Sequence, residues 1–267
     1  MSVTRTTLFA ILTAVTATTV PGGCGPDPGE GVDLTTVSST DEEALLGGRA
    51  TSAHPAVGLV LMESGGFCTG TLIAPRVVLT AAHCVTVPVA AFYTGAGAPI
   101  GNQEQGRRGI DRALDAMEEH VVVAQAGHPG YNEDVCGETP DLALLLLAQP
   151  IRGVSPVALA PSTAAQVGRS CTAVGFGGHG TGSGMTWAQK RAGTEEIVAV
   201  TPVAVTVRAR SAIADHGDSG GPLLCGGKIA GVTSCGTQVP MRQREIEYAR
   251  PDRETTWRRN VLRRWGV

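Results

Sequence analysis

The sequence predicts an all-β fold made of many short strands, closed as a barrel or stacked as a sandwich. Two observations carry this. Gly supplies 36 of the 267 residues while aromatics make up only 4%. Beyond Leu45 the apolar runs are strand-sized, and several are bounded by Gly, Pro or Asp. The length suits one or two domains with a substantial core. A net charge of −3 gives no reason to expect nucleic acid or an acidic partner.

Residues 1–24 read as an export signal. Arg5 is the positive start, Leu8 to Val20 the apolar stretch, and Pro21-Gly22-Gly23-Cys24 the small-residue end. Small residues before a cysteine also resemble a bacterial lipobox, in which Cys24 would carry a lipid, although Pro21 departs from that pattern. Lipidation and ordinary cleavage both stay open. No later run is long enough to span a bilayer. Residues 25–44 are rich in Pro, Gly, Asp, Glu, Ser and Thr. They cannot bury enough apolar surface to order themselves, so they read as a linker or propeptide.

The expected strands follow in order: Val57–Met62, Thr69–Ile73, Val77–Ala82, Val121–Ala124, Leu142–Leu147, Cys171–Val174, Ile197–Val207, Pro222–Leu224 and Ile229–Thr233. Asp111–His120 fits a helix or a charged loop, and its periodicity does not decide. Arg253–Trp265 carries Trp257, Val261, Leu262 and Trp265 at helical spacing, which predicts a helix packed on the body with its arginines in water.

Three segments carry chemistry: Leu79-Thr80-Ala81-Ala82-His83-Cys84, Asp141-Leu142-Ala143-Leu144-Leu145, and Gly217-Asp218-Ser219-Gly220-Gly221-Pro222. A free hydroxyl is a weak nucleophile. An adjacent imidazole can take its proton, and a buried carboxylate can fix the imidazole's tautomer. Singly, each segment has an ordinary structural explanation: a core histidine, a turn aspartate, a glycine turn. All three in the order His, Asp, Ser make coincidence remote.

These segments resemble the chymotrypsin (trypsin-like) serine protease family from about Leu45 to the C-terminus. The resemblance implies two packed six-stranded antiparallel barrels with a C-terminal α-helix. The first barrel would span about 45–160, the second about 161–252 and the helix about 253–265. It implies a catalytic triad of His83, Asp141 and Ser219, with the Gly217 and Ser219 N–H groups facing the developing oxyanion. Ser234-Cys235-Gly236 matches the family's substrate-pairing edge, with Cys235 in place of the usual Trp. No cofactor is implied. A protein or peptide substrate is, and a protein inhibitor is compatible; the chain is expected to be a monomer that meets a membrane only through a lipid on Cys24.

The chain has seven cysteines. The family pattern pairs Cys68 with Cys84 and Cys171 with Cys225. In this fold the loop before the catalytic Asp lies against the substrate edge, so Cys136 and Cys235 are expected to bond. That leaves Cys24 odd. The family's bridge from just before the Ser loop is missing, because Asp215 occupies its first position.

Leu45-Leu46-Gly47-Gly48 resembles the family's mature start. Cleavage after Ala44 would free the Leu45 amine to pair with Asp218 and order the oxyanion loop; otherwise these residues are simply a first strand. Activity would then need a neutral His83 and a charged Leu45 amine. For specificity, the family's pocket base falls on Ile213, while Ile246 and Gly236 form walls beside Asp215 and His216. Two isoleucines suggest a shallow apolar pocket for small aliphatic P1 residues. An inward-reaching Asp215 would favour basic ones instead. The rival to catalysis is a binding or adhesion protein on the same scaffold, which usually lacks a triad member. The expected location is extracellular or anchored to the cell envelope.

Overall fold

The computed structural model describes residues 48–101, 107–180, 184–236 and 244–267. Two antiparallel barrels make up its body. The first closes in the order β2 (Val57–Met62), β3 (Phe67–Ala74), β4 (Val77–Thr80), β8 (Ala143–Leu147), β7 (Glu118–Gly127) and β5 (Val89–Thr94). The second runs β11 (Arg191–Val200), β12 (Ala204–Ala209), β15 (Glu245–Ala249), β14 (Lys228–Gly236), β13 (Pro222–Cys225) and β9 (Ser170–Gly175), and β9 pairs back onto β11. A two-residue strand, β1 (Arg49–Ala50), adds to β11. Thus the earliest described strand belongs with the second barrel.

Alternation sets these strands. On β15 Ile246 and Tyr248 are buried while Glu245 and Glu247 point outward, a period of two in a stretch that looks merely charged. β8 is buried along its whole length. One of its faces fills the first barrel, and its other side meets the C-terminal helix α2 (Thr255–Trp265). Val261 of α2 is fully buried in the same cluster as Leu144, Leu145 and Leu147, with Trp257, Leu262 and Trp265 against it. His128 pins the start of this helix. Its Nδ1 accepts from the Gly130 N–H, so Nε2 carries the proton and donates to Glu254 at 3.1 Å, while the ring meets the Trp257 ring edge-on. A small third cluster flanks the first barrel. It joins α1 (Arg107–Leu114) to the two-stranded sheet of β6 (Gly97–Gly101) and β10 (Thr186–Gln189) through Ile110, Ala113, Ile100 and Ala188.

Several expected boundaries are corrected. The run Ile197–Val207 is two strands, because Thr201 and Ala204 bond across a turn that folds it back. Asp111–His120 is neither one helix nor one loop: the helix ends at Leu114 and β7 begins at Glu118. Val121–Ala124 is the middle of a ten-residue strand whose outward Val121 and Val123 stay more than half exposed. The C-terminal helix starts at Thr255 rather than Arg253. Strands β5, β6, β10 and β15 were not in the sequence reading. No helix among the described residues is long and apolar enough to cross a membrane.

Three disulfides form: Cys68–Cys84, Cys171–Cys225 and Cys136–Cys235. The first two are buried within single barrels. The third joins the loop before Asp141 to β14 of the second barrel, and its Cys136 is exposed. Cys24 and Leu45 lie outside the described residues.

Candidate active site

The site is assembled where the two barrels meet. His83 opens a short 3₁₀ turn directly after β4, and Asp141 sits just before β8, the strand paired with β4. Adjacent strands therefore deliver the two side chains together. The His83 Nδ1 lies 2.7 Å from Asp141 Oδ2, and the His83 backbone N–H donates to Oδ1 at 3.0 Å. A third donor comes from the second barrel, Ser234 Oγ, at 2.7 Å from Oδ2. Asp141 is only 3% exposed. Burial alone would push its carboxyl up, but the bonds from His83 and Ser234 outweigh burial and hold it below the ordinary carboxylate value. With Nδ1–H committed to Asp141, Nε2 is the ring nitrogen left to accept a proton.

Ser219 rides on a loop that the first barrel grips through Thr69, a residue the sequence reading passed over. The Thr69 N–H donates to the Ser219 carbonyl, and its hydroxyl donates to the Gly217 carbonyl, both at 2.8 Å. The same hydroxyl accepts from the Phe176 N–H at 3.2 Å. Cys84 Sγ, on the residue next to His83, lies 3.7 Å from the Ser219 carbonyl, so the loop backbone runs beside His83. No hydrogen bond joins Ser219 Oγ to His83 among the described residues.

Asp215 to Asp218 form a turn closed by the Asp218 N–H on the Asp215 carbonyl at 2.9 Å. Gly217 takes its third position with φ +91°, where a side chain would be strained and would strike the Phe67 ring. Neither the Gly217 nor the Ser219 N–H has a partner among the described residues. Two uncommitted backbone donors thus lie at and two residues before Ser219.

Asp218 points away from this cleft and is 2% exposed. Its Oδ1 accepts from Gly177 N–H at 2.8 Å and its Oδ2 from Asp215 N–H at 2.9 Å. Gly177 must be glycine here, since a Cβ would lie 2.5 Å from the Asp218 carboxyl. Burial pushes the Asp218 carboxyl up to about 7, opposed by those two N–H bonds and by Arg244. Glu195 lies fully buried behind Ala214, whose N–H bonds Oε1 at 2.9 Å, while Oε2 has no partner within ordinary hydrogen-bond distance among the described residues. Burial pushes Glu195 up to about 8, with the Tyr248 hydroxyl and the Ala214 N–H acting against it.

The expected specificity residues divide. Ile213 and Ile246 are buried in the second-barrel core beside Val207, Ala230 and Tyr248. A Cβ at Gly236 would lie 2.3 Å from Ile246 Cδ1, so the isoleucine already fills the space against that wall. Asp215 does not reach inward as a free anion. It pairs with Arg244 at 3.1 Å, with both side chains largely buried. His216 is exposed and, with Gly217, Phe67, Trp187, Ile100 and Ile110, lines a cleft of about 430 Å³. Cys68, His83 and Cys84 cluster at ligand distance, but the disulfide between the two cysteines leaves no thiolate for a metal.

The comparisons place the chain in a family. A family model described as Trypsin matches residues 46–251. Human kallikrein-14 is 28% identical over 223 residues, covering 76% of this chain and 78% of the relative. A trypsin from Squalus acanthias is 25% identical, covering 81% and 95%. Among solved structures, mouse neuropsin, a serine protease of the limbic system, superposes with a TM-score of 0.65 at 25% identity, over 80% of this chain and 98% of that one. These relatives come from animals and give no support to a bacterial lipoprotein. With the family model spanning most of the chain and both barrels in place, the chain belongs to the trypsin family of serine proteases and is a serine-type endopeptidase.

Proposed function

We propose that the chain is a secreted endopeptidase that cleaves peptide bonds through Ser219, His83 and Asp141. The observation that carries this is the 2.7 Å His83–Asp141 bond, beside a Ser219 loop with two uncommitted N–H groups. Ser219 Oγ attacks the scissile carbonyl carbon while His83 Nε2 takes its proton. Asp141 stabilises the resulting imidazolium. The Gly217 and Ser219 N–H groups receive the negative oxygen. His83 then protonates the leaving amine, giving an acyl-enzyme on Ser219. Water, deprotonated by the same imidazole, releases the acid and restores the hydroxyl.

Small aliphatic P1 residues fit the slot best, because Ile213 and Ile246 close its depth. The ion pair to Arg244 disfavours the alternative in which Asp215 recognises a basic side chain. Cleavage after Ala44 supplies the Leu45 amine to Asp218, whose buried carboxyl has two N–H partners but no paired ammonium among the described residues. Export is favoured by the leader-like residues 1–24 and by three disulfides. A lipid on Cys24 would change where the enzyme sits and leave its chemistry alone. The binding-protein alternative gains nothing from the geometry.

Fluorophosphonate labelling of protein starting at Leu45, read by intact mass beside Ser219→Ala, tests the reading. Adduct on the wild type alone is expected. A correctly folded wild type that takes no adduct would sink it. Cleavage-site profiling then tests P1, and dominant cuts after Arg or Lys would overturn the small-aliphatic preference.

A further inference from the structure

We propose that Arg244 is a positioning residue: its ion pair with Asp215 sets the direction in which the Gly217 and Ser219 N–H groups point. This rests on the endopeptidase reading and goes beyond it.

Asp215 opens the oxyanion turn. Its carbonyl accepts from Asp218 N–H, and its own N–H donates to Asp218 Oδ2. Both bonds stay within the turn and fix its shape, while links out of it tie His216 to Gly178, Gly217 to Thr69 and Asp218 to Gly177. The Asp215 side chain supplies a link out of the turn, to Arg244 Nη2 at 3.1 Å. Arg244 stands immediately before β15, two residues from Ile246, the side chain that fills the space against Gly236. The pair therefore connects the turn to the opposite wall of the specificity slot.

The energetics favour a positioning role over a stabilising one. The two side chains are 13% and 9% exposed, so both charges lose most of their hydration. Attraction in such a site roughly offsets that cost, and an apolar pair of similar size would hold the fold as well. What the charged pair adds is a fixed point, because one Nη2–H donated to Oδ1 ties the first residue of the turn to the residue before β15. Among the described residues Arg244 Nε has no hydrogen-bond partner, and the side chain's hydrogen bond is the one from Nη2 to Asp215. Arg244 is also the cation acting on Asp218 among the described residues, where Asp215 adds like charge.

The test uses protein starting at Leu45, in four forms: wild type, Arg244→Met, Arg244→Lys, and the neutral double variant Asp215→Asn/Arg244→Met. The double variant leaves no unpaired buried charge, so it keeps a folded form available. Active sites are counted by fluorophosphonate titration, and kcat and KM are measured per titrated site on a peptide amide the wild type cleaves. Both variants carrying Met should lose roughly 10- to 100-fold in per-site kcat with little change in KM, the signature of misplaced oxyanion donors. Arg244→Lys, which keeps the charge but carries its donor on a shorter, flexible stem, should fall between. If the double variant folds and its per-site kcat is unchanged, with only the fraction of active sites reduced, Arg244 is merely structural and the proposal is overturned. A wild type that never labels would fail the endopeptidase reading instead, which separates the two.

Discussion

The two barrels treat their buried carboxylates in opposite ways. Asp141 meets donors from the His83 ring, the His83 backbone and Ser234, and its carboxyl is held low. In the second barrel, Asp218 has two backbone N–H donors and is pushed up to about 7, while Glu195 has one such donor and is pushed up to about 8. The first-barrel half of the site is therefore electrostatically complete once the chain folds. The second-barrel half is short of positive charge. It holds the Ser219 loop over acids that gain from a cation brought to them, and in our reading Arg244 and the Leu45 amine are those cations.

The strongest way to break this contrast is to exchange each acid for its amide. Asp141→Asn should lower kcat on the order of 10⁴-fold, because the amide no longer selects the tautomer that leaves Nε2 basic. Asp218→Asn should cost less, on the order of 10²- to 10³-fold, the size of a lost oxyanion interaction. Protein carrying residues 25–44 should resemble Asp218→Asn, and the variant should gain nothing when those residues are removed. Steady-state kinetics on both N-terminal forms of both variants would check this. Full activity with residues 25–44 attached would mean that the second barrel needs no arriving amine.

Much of the first barrel was legible in the sequence. Runs such as Val57–Met62 and Leu142–Leu147 are apolar enough to stand out, and the His-Cys and Gly-Asp-Ser-Gly-Gly-Pro segments carry the resemblance to the family. What escaped is polar and relational. Thr69 looks like any strand threonine, yet its hydroxyl and N–H hold the Ser219 loop from the other barrel. Strand β15 reads as a charged stretch because its outward face carries Glu245 and Glu247; only its period of two betrays Ile246 and Tyr248 behind them. Arg244 and Asp215 are far apart in sequence, and no local pattern signals their pairing. The Ser234 motif suggested a substrate edge, while its hydroxyl also serves Asp141.

Ser234 sharpens the comparison within the first half of the site. Ser234→Ala removes one donor from Asp141, so the carboxyl should rise toward its ordinary value. About a 10-fold loss in kcat is expected, since one hydrogen bond to a charged group is at stake. The loss should deepen as pH falls. An unchanged acid limb in the kcat profile would show that the His83 bonds alone hold Asp141.

The disulfides offer a smaller contrast. Cys136 is exposed while Cys68, Cys84, Cys171 and Cys225 are at most 4% exposed. A mild dithiol should therefore open Cys136–Cys235 first. Because that bridge flanks both Asp141 and Ser234, peptide cleavage should fall several-fold while the fold persists. Alkylation and mass mapping along the reduction would check the order, and simultaneous loss of all three bridges would contradict it.

The last expected effect lies in stability rather than in rate. For Glu195 the folded carboxyl titrates near 8 and the unfolded one near about 4.3. Between pH 5 and 8 the folded chain keeps a proton that the unfolded chain has released, so stability falls as pH rises, by at most about 1.4 kcal/mol per pH unit. Asp218 adds a fall of the same sign that ends near pH 7 when no amine is paired with it. Asp141, with a depressed value, acts the other way: its stabilisation is present above the ordinary carboxylate range and fades as pH drops through and below it. Denaturant melts at several pH values, in a Ser219→Ala background that prevents self-cleavage, can separate these terms. Glu195→Gln keeps an acceptor for the Ala214 N–H and has no proton to lose, so it should flatten the fall between pH 7 and 8, where Asp218 no longer contributes. A wild type whose stability stays level across that interval would mean that Glu195 is ionised and paired, and the second barrel would then be as complete as the first.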